Sequence, residues 1–325
     1  MQKTKLIVMG MGFYGRGWAK VAAEHPEAEL VAVVDRSEEA MALLEVPAAK
    51  YTDLDKAIEE QKPDAVVLVV PPRLHIPLAK KLTDAGIAVL CEKPICEDPE
   101  EAAGFMKELE GKDTVCGIGE NFRYRPVMRE AKKQLENGAV GKIVSASCKY
   151  VSCHPDASNA YHGNLKHPLL CDVTVHHLDV ARFLMGTEPK TVRCTEQPAY
   201  HTWYQHRPAA AELYSEMENG SVFTYSGTLA APVSVTDGFG DWEIIGECGV
   251  MRISGTKLSL YAPEKETVTW VIPDGEDTRK PLLDGFIRAL RENVPCESDI
   301  RDNYKSFNWM QQAAKAAETG CVIAL

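Results

Sequence analysis

Short apolar runs alternate with amphipathic segments along the first third of the chain. The runs have strand length and comprise residues 5–9, 30–34, 64–70, 87–91 and 114–119. Between them, residues 13–24 and 75–85 carry apolar side chains at helical spacing, and Asp98-Pro99 followed by two glutamates is typical of a helix start. This alternation predicts an α/β domain with a doubly wound parallel sheet.

The pattern changes after Pro126. A helix over residues 127–137 is followed by strand-like alternation at 143–151, 191–195, 211–217, 222–229, 241–245, 251–254, 257–261 and 267–271. Asn219-Gly220 is a strong hairpin signal, and two helices close the chain at 281–292 and 302–319. Strands without intervening helices predict an α+β domain with a large, mostly antiparallel open sheet. We therefore expect domains at residues 1–122 and 123–325.

The first strand leads into a glycine-rich turn with a mechanical reason for each glycine. Gly10 permits the tight turn, Gly12 lets backbone amides approach a pyrophosphate, and Gly15 allows close packing of helix on strand. Phe13 and Tyr14 begin the helix, whose N-terminus favours phosphate. Together with the acid that ends the second strand, this pattern predicts a Rossmann dinucleotide site.

Asp35, twenty residues after Gly15, indicates which dinucleotide binds. Its carboxylate can accept hydrogen bonds from a ribose and repels a 2′-phosphate, which favours NAD. Arg36 and Ser37 leave NADP as the alternative, because they could hold that phosphate if the carboxylate turned away.

Lys93 follows the strand at residues 87–91 and precedes Pro94. Because Pro94 favours an extended conformation at Lys93, the chain turns there. A lysine at the carboxyl end of a strand in such a sheet faces the ligand crevice; a solvated loop lysine is the alternative.

The strand predicted at residues 64–70 ends at Pro71. His75, which opens the next helix, either lines a nicotinamide pocket or caps its helix.

A helix over residues 172–184 interrupts the second domain. Asp172, His176 and Asp179 fall at i, i+4 and i+7, which places them along one stripe among apolar neighbours. Such a stripe either lines a cavity or consists of a capping aspartate and a histidine satisfied in the core.

Bulk properties exclude several classes of protein. The 325 residues carry a net charge of −11, which argues against nucleic-acid and membrane partners. No apolar run approaches the roughly 18–20 residues of a membrane span. The ten cysteines are scattered without a Cys-x-x-Cys pair, so we expect neither a disulfide framework nor a zinc ribbon. Because the apolar run at residues 6–9 is broken at once by glycines, the N-terminal segment does not match a signal peptide, and we expect a cytoplasmic protein.

Taken together, these motifs resemble the Gfo/Idh/MocA family of oxidoreductases, and the resemblance covers essentially the whole chain. It rests on the glycine-rich turn, Glu92-Lys93-Pro94, the stretch from Asn121 to Pro126, and the helix with Asp172, His176 and Asp179. Weaker support comes from residues 243–249 and from Glu318-Thr-Gly320.

The resemblance implies a catalytic group of Lys93, Asp172 and His176. Chemistry agrees, because oxidation of a secondary alcohol needs a base for the hydroxyl proton while hydride leaves the carbon. Histidine exchanges protons near neutral pH, a lysine can stabilise a developing alkoxide, and an aspartate can orient either partner. This chain departs from its relatives at His167-Pro168 and Thr174, where glycines are usual, so we expect a reshaped pocket.

The expected cofactor-binding residues are Gly10, Gly12, Phe13, Tyr14, Gly15, Asp35, Arg36, Pro71, His75, Glu92 and Asn121. The expected substrate-binding residues are Arg123, Tyr161 and His177. Arg123 and Arg125 either grip an acidic sugar or pair with carboxylates.

A histidine-rich segment contains His154, Tyr161, His162 and His167. It is expected to form a loop over the site that reads sugar hydroxyls. A metal site built from these histidines is the alternative, but we expect no metal because the spacing matches no familiar ligand pattern.

The predicted function is hydride transfer between nicotinamide and a secondary hydroxyl of a sugar, sugar derivative or cyclitol. One alternative is a glycoside-cleaving enzyme that oxidises its sugar transiently with tightly bound NAD, and another is a non-catalytic dinucleotide sensor. Since the second sheet carries helices on one face, we expect a homodimer or homotetramer built through the other.

Overall fold

The structure, a computed structural model, describes residues 2–154, 165–198, 204, 207–275 and 277–325. The chain divides into two compact units: a first unit of Met1–Asn121 with Glu276–Tyr304, and a second unit of Phe122–Gly275 with Lys305–Leu325. The division after Asn121 lies one residue from the predicted boundary. The expectation that everything beyond it belongs to the second domain is corrected, since Glu276–Tyr304 joins the first unit.

The strands are β1 (Thr4–Met9), β2 (Ala28–Val34), β3 (Ala49–Tyr51), β4 (Ala65–Leu68), β5 (Ala88–Cys91), β6 (Cys116–Ile118), β7 (Ile143–Val151), β8 (Pro189–Pro198), β9 (Pro208–Met217), β10 (Val222–Thr228), β11 (Asp241–Gly246), β12 (Val250–Ser254), β13 (Lys257–Tyr261), β14 (Val268–Val271) and β15 (Ile323–Ala324). The α-helices are α1 (Phe13–Glu24), α2 (Glu38–Ala42), α3 (Leu54–Gln61), α4 (His75–Asp84), α5 (Pro99–Glu108), α6 (Pro126–Glu136), α7 (Val175–Met185), α8 (Arg279–Glu292) and α9 (Ile300–Thr319).

The sheet of the first unit has the order β3-β2-β1-β4-β5-β6, and all its neighbouring strands are parallel. Every residue of β4 and β5 is buried, as expected for apolar strands covered on both faces. The predicted parallel sheet is confirmed.

Helix α8 belongs to this unit because its contacts lie there. His25 follows α1, and its Nε2 lies 2.8 Å from Oδ1 of Asp284 on α8. Beyond α8, Ser298 accepts a 2.8 Å hydrogen bond from the Ile118 amide of β6. These bonds explain why the segment Glu276–Tyr304 belongs to the first unit, although the second domain was predicted to run without interruption to the last residue.

The sheet of the second unit has the order β14-β13-β12-β11-β7-β10-β9-β8-β15. Among the described residues, β7 and β10 pair in parallel and the other neighbours are antiparallel. Alternate residues of β7 are buried: Ala146, Cys148 and Tyr150. The predicted mostly antiparallel sheet is confirmed, with one covered face and one open face.

The helix predicted over residues 172–184 is not α-helical throughout. Residues Leu170–Thr174 form a π-helical turn, and α7 begins only at Val175. The α-helical spacing that placed Asp172 on one stripe with His176 and Asp179 therefore holds only for the last two. Wider turns of this kind recur at functional sites.

Candidate active site

The glycine-rich turn between β1 and α1 has the geometry of a phosphate cradle. Gly10 has a φ of +97°, and an ideal Cβ there would lie 2.1 Å from Val69 O. A Cβ on Gly15 would lie 1.7 Å from Gly10 O, whereas one on Gly12 would meet nothing within 4 Å. Gly12 caps α1 without a side-chain hydrogen bond. The first amides of the helix thus border open space, which fits a pyrophosphate.

Asp35 braces this turn from the end of β2. Its Oδ2 accepts a 2.6 Å hydrogen bond from the Met11 amide, and its Oδ1 accepts a 2.8 Å bond from the Ser37 amide. A carboxylate oxygen can accept more than one bond, so acceptor capacity for a ribose remains. Arg36 is exposed beside it.

Phe13 and Tyr14 turn their rings toward solvent, with 83% and 62% of their surfaces exposed. Their aromatic rings meet at 6.0 Å edge to face. Because they open α1, their contribution to a phosphate site comes from the backbone amides.

Lys93 lies in a turn whose backbone Glu92 fixes. Glu92 Oε1 accepts a 2.6 Å bond from the Trp18 indole on α1, and Glu92 Oε2 accepts a 3.2 Å bond from the Lys93 amide. The Lys93–Pro94 peptide is cis, and Lys93 is half-buried. Glu92 was predicted as a cofactor residue, and the structure gives its carboxylate this bracing role.

His75 does not cap its helix, and its place beside a nicotinamide stays a prediction. It is buried, with Nδ1 2.8 Å from Pro94 O and Nε2 2.7 Å from Val70 O. The residue that caps α4 is Leu74, without a side-chain bond. Burial lowers the pKa of His75 despite the opposing effect of these carbonyls, so the ring is neutral at pH 7 and donates to one carbonyl at a time. His75 thus links the end of β4 to the turn after Lys93. Pro71, which was predicted to bind the cofactor, is exposed.

Asn121 ties the end of β6 to the start of α8. Its side-chain amide donates a 2.7 Å bond to Thr278 Oγ1. The next residue, Arg279, donates a 3.3 Å bond to Tyr14 O and lies 5.9 Å from the Trp18 ring. Sequence reasoning missed Arg279, since no local pattern links it to residues so distant in the chain.

In the second unit, His176 on α7 is 6% exposed and stacks on Phe122. The ring centroids are 4.1 Å apart and the planes differ by 5°. Asp172, half-buried, precedes His176 in the π-helical turn. Thr174, at a position where glycine was expected from the family resemblance, places a fully buried side chain in the same turn.

His177 does not fit its predicted substrate role, because its side chain lies in the core with 0% exposure. Its Nε2 is 3.2 Å from Gly238 O and its Nδ1 3.3 Å from the Tyr225 hydroxyl. Burial, with repulsion from His176, lowers the pKa of His177 to about 3. The ring is therefore neutral and structural.

Arg123 was likewise expected at the substrate and is instead buried against Asp179. Its Nε and Nη2 donate bonds of 2.8 and 2.5 Å to the two carboxylate oxygens. Ser306 Oγ adds a 3.0 Å bond to Asp179 Oδ1. This bidentate pair explains how the Asp179 carboxylate can be buried on α7. Arg125 pairs with carboxylates as well, at Asp237 and Asp274.

The histidine-rich segment is only partly described, since Tyr161 and His162 lie outside the described residues. His154 is exposed, whereas His167 is buried between two carboxylates. His167 Nδ1 lies 2.6 Å from Glu196 Oε2, and its Nε2 lies 2.8 Å from Glu318 Oε1. The described ranges contain no group of three His, Cys, Asp or Glu side chains suited to a metal ion.

Comparison with known proteins identifies the family. Residues 4–120 match GFO_IDH_MocA, an oxidoreductase family with an NAD-binding Rossmann fold, and residues 128–252 match the GFO/IDH/MocA C-terminal domain. Inositol 2-dehydrogenase 4 of Saccharopolyspora erythraea is 31% identical over 267 residues, covering 78% of this chain and 74% of that protein. The chain belongs to the Gfo/Idh/MocA family.

Other relatives agree with this family assignment. Inositol 2-dehydrogenase of Rhizobium meliloti is 29% identical over 189 residues, which cover 58% of this chain and 57% of that protein. The crystal structure of an oxidoreductase from Agrobacterium radiobacter in complex with NAD+, L-tartaric acid and magnesium has a TM-score of 0.92 at 18% identity, covering 99% of this chain and 98% of that one. The latter likeness concerns the fold alone.

As a Gfo/Idh/MocA protein, the chain is an NAD-dependent oxidoreductase. Its glycine cradle and Asp35 suit NAD, which confirms the predicted cofactor. Of the helices in the described ranges, none has the length and apolar character to cross a membrane.

Proposed function

We propose that this enzyme is a dehydrogenase that oxidises a secondary hydroxyl of a sugar, sugar derivative or cyclitol. The observation that carries the proposal is the turn at the end of β5, where Glu92 holds the Lys93 backbone in a family of NAD-binding oxidoreductases. The inositol dehydrogenases among its relatives support a polyol substrate.

In this proposal each group has one task. His176 accepts the proton of the reacting hydroxyl, because a neutral imidazole is a good base near pH 7. The Lys93 ammonium hydrogen-bonds the same oxygen and stabilises its developing negative charge. Asp172 orients the substrate by accepting a bond from a neighbouring hydroxyl. Bound NAD supplies the hydride acceptor.

Substitution of the two groups tests the proposal. Lys93→Ala and His176→Ala should each lower kcat at least about a hundredfold, since each removes a group that acts on the reacting hydroxyl. NAD affinity, measured by calorimetry, should change little because neither side chain forms the glycine cradle. Turnover is followed by NADH absorbance across a panel of polyols and sugars.

The exposed Lys142→Ala variant is the control and should retain full activity. Normal turnover by both Lys93→Ala and His176→Ala would contradict the proposal. Consumption of a glycoside without net formation of NADH would also contradict it, and would favour a glycoside-cleaving enzyme that oxidises its sugar transiently.

We further propose that two copies associate through the open face of the second sheet. Across this face, Lys149 lies opposite Ser226, which lies opposite Glu212. A depression of about 570 Å³ there is also lined by Arg193 and Tyr214. Because both signs of charge occur, a face of this kind can pair with its own copy.

A reducing, cytoplasmic location is part of the proposal as well. All ten cysteines are free, and six of them are buried thiols. Unpaired cysteines in such number are typical of proteins kept in a reducing compartment.

A further inference from the structure

A column of ring contacts ends on the His176 imidazole. Phe122 lies against the face of that ring at 4.1 Å with an interplanar angle of 5°. Phe122 also meets Phe239, with centroids 4.4 Å apart and planes inclined by 40°. The Arg125 guanidinium carbon lies 4.1 Å from the centroid of Phe239 and continues the column.

The far end of this column is fixed by charge. Arg125 donates bonds of 2.6 and 2.9 Å to the two oxygens of Asp274, and its Nη1 lies 2.7 Å from Asp237 Oδ2. The bond to Arg125 holds the pKa of Asp274 below its usual value, although partial burial opposes the shift. Asp274 is therefore ionised at neutral pH and keeps the guanidinium in place.

The loop that carries Asp237 and Phe239 supports the adjacent histidine as well. Gly238 O lies 3.2 Å from His177 Nε2. The two histidines thus rest on one short loop segment, His176 through Phe122 and Phe239, and His177 through a backbone carbonyl.

A contact of this kind suits a residue that must move a proton. Rotation about χ2 of a histidine is broad, so an imidazole with no neighbour against its face presents its nitrogens over a range of directions. A parallel ring against its face restricts that rotation, and it uses neither nitrogen. Misplacement of a catalytic group by about 1 Å can cost roughly a hundredfold in rate.

We propose that Phe122 is a positioning residue for His176, held in its turn by Phe239 and Arg125. The proposal deepens the dehydrogenase assignment and rests on His176 being its base. Phe122 fixes the plane of the imidazole so that its edge meets the reacting hydroxyl.

The test replaces Phe122 with Leu and observes His176 directly. Leucine keeps an apolar side chain but has no flat face. In protein labelled with ¹³C at histidine Cε1, the His176 signal is identified by its loss in His176→Gln. The ring current of a stacked phenyl shifts this proton upfield, so Phe122→Leu should move it downfield, whether or not a substrate is known.

Kinetics form the second readout. Phe122→Leu should lower kcat roughly tenfold to a hundredfold with little change in NAD affinity. Phe122→Tyr, which keeps the flat ring, should restore both the resonance position and most of the turnover. Phe239→Leu removes the next ring in the column and should shift the same resonance, which keeps the test available if Phe122→Leu folds poorly.

Phe183→Leu is the matched control, since Phe183 lies on the same helix α7 and contacts Arg123 rather than the column. It should leave the His176 resonance and kcat unchanged. The positioning role is overturned if the His176 signal stays in place in Phe122→Leu and Phe239→Leu, if it moves without loss of kcat, or if Phe183→Leu has equal effects. Failure of the dehydrogenase assignment differs from all three, since the parent protein would then form no NADH with any member of the panel. Failure of His176 as the base differs as well, since His176→Gln would then remain active.

Discussion

Asp179 and Arg123 illustrate how a buried charge is accommodated on α7. Asp179 is fully buried and receives the Arg123 fork together with Ser306. Removing one partner of such a pair leaves an uncompensated charge away from water, which costs far more than the pair itself contributes. We therefore expect Arg123 to act on stability rather than on substrate affinity.

Arg123→Met should lower the free energy of unfolding by about 3–5 kcal/mol, because the buried Asp179 carboxylate then loses its bidentate partner and keeps Ser306 and the more distant Arg182, 4.0 Å away. Asp179→Asn should also destabilise the protein, since it leaves Arg123 without its anion. Urea denaturation provides the measurement. Arg252→Met, which breaks the more exposed pair with Glu243, should cost less than about 1 kcal/mol and serves as the control. An Arg123→Met variant that is as stable as the parent but has a raised KM would restore the predicted substrate role.

Single residues could be predicted from the sequence where backbone geometry dictates the residue type. Gly10 and Gly15 are such positions, because a Cβ on either would overlap a backbone oxygen. Phe122 and Arg279 could not be predicted, since their roles depend on rings and loops brought near by folding. His177 was misjudged for a related reason: adjacent histidines on a helix face different environments, and sequence alone does not say which one is enclosed.

Elements with a strong apolar pattern could be predicted closely. The bounds of α1, β7 and β13 match the predicted residues 13–24, 143–151 and 257–261. No element was predicted over residues 38–61, where α2, β3 and α3 are short and β3 has no buried residue. The π-helical turn before α7 was also missed, because its apolar spacing resembles that of an ordinary helix.

His167 joins three elements, since it precedes the π-helical turn and contacts Glu196 on β8 and Glu318 on α9. Burial disfavours the charged imidazole, but the bonds to both carboxylates outweigh it and raise the pKa of His167 above its usual 6.5. The folded state therefore holds this proton more tightly than the unfolded chain. The stabilisation is complete below pH 6.5 and is lost as the pH rises through the raised pKa.

His167→Gln should therefore be least stable relative to the parent at low pH, and the difference should shrink as the pH rises above 6.5. Unfolding by urea at pH values from about 6 to 9 measures this difference in both proteins. A difference that is independent of pH would show that His167 carries no charge in this cluster.

On the scale of the whole molecule, the open face of the second sheet is polar, with Lys149, Arg193 and Glu212 among its exposed side chains. If two copies pair there through charge and hydrogen bonds, the association should weaken with salt. Light scattering at micromolar concentration should give at least a dimer. Tyr214→Lys, which changes a residue that lines the depression, should favour the monomer, whereas Tyr261→Lys on β13, outside the depression, should not. A parent protein that is monomeric under these conditions would contradict the assembly.

The two-domain organisation could be predicted because the pattern of elements changes at Pro126. The return of α8 to the first unit could not, since an amphipathic helix does not encode which sheet it covers. Its placement depends on particular contacts, such as His25 with Asp284 and Ile118 with Ser298.

This return has a consequence for how the chain is made on the ribosome. Strand β6 lies at the edge of its sheet, and its outer neighbours are the backbone at Ser298 and Asp299 and the side chains of Phe286 and Cys296, which approach Gly117. All of these lie far beyond β6 in the chain and emerge from the ribosome long after it. Until then the NAD-binding unit has an unpaired edge strand and an uncovered apolar surface, a combination that invites aggregation. The nascent chain should therefore depend on chaperones until residues 286–299 have emerged and covered β6.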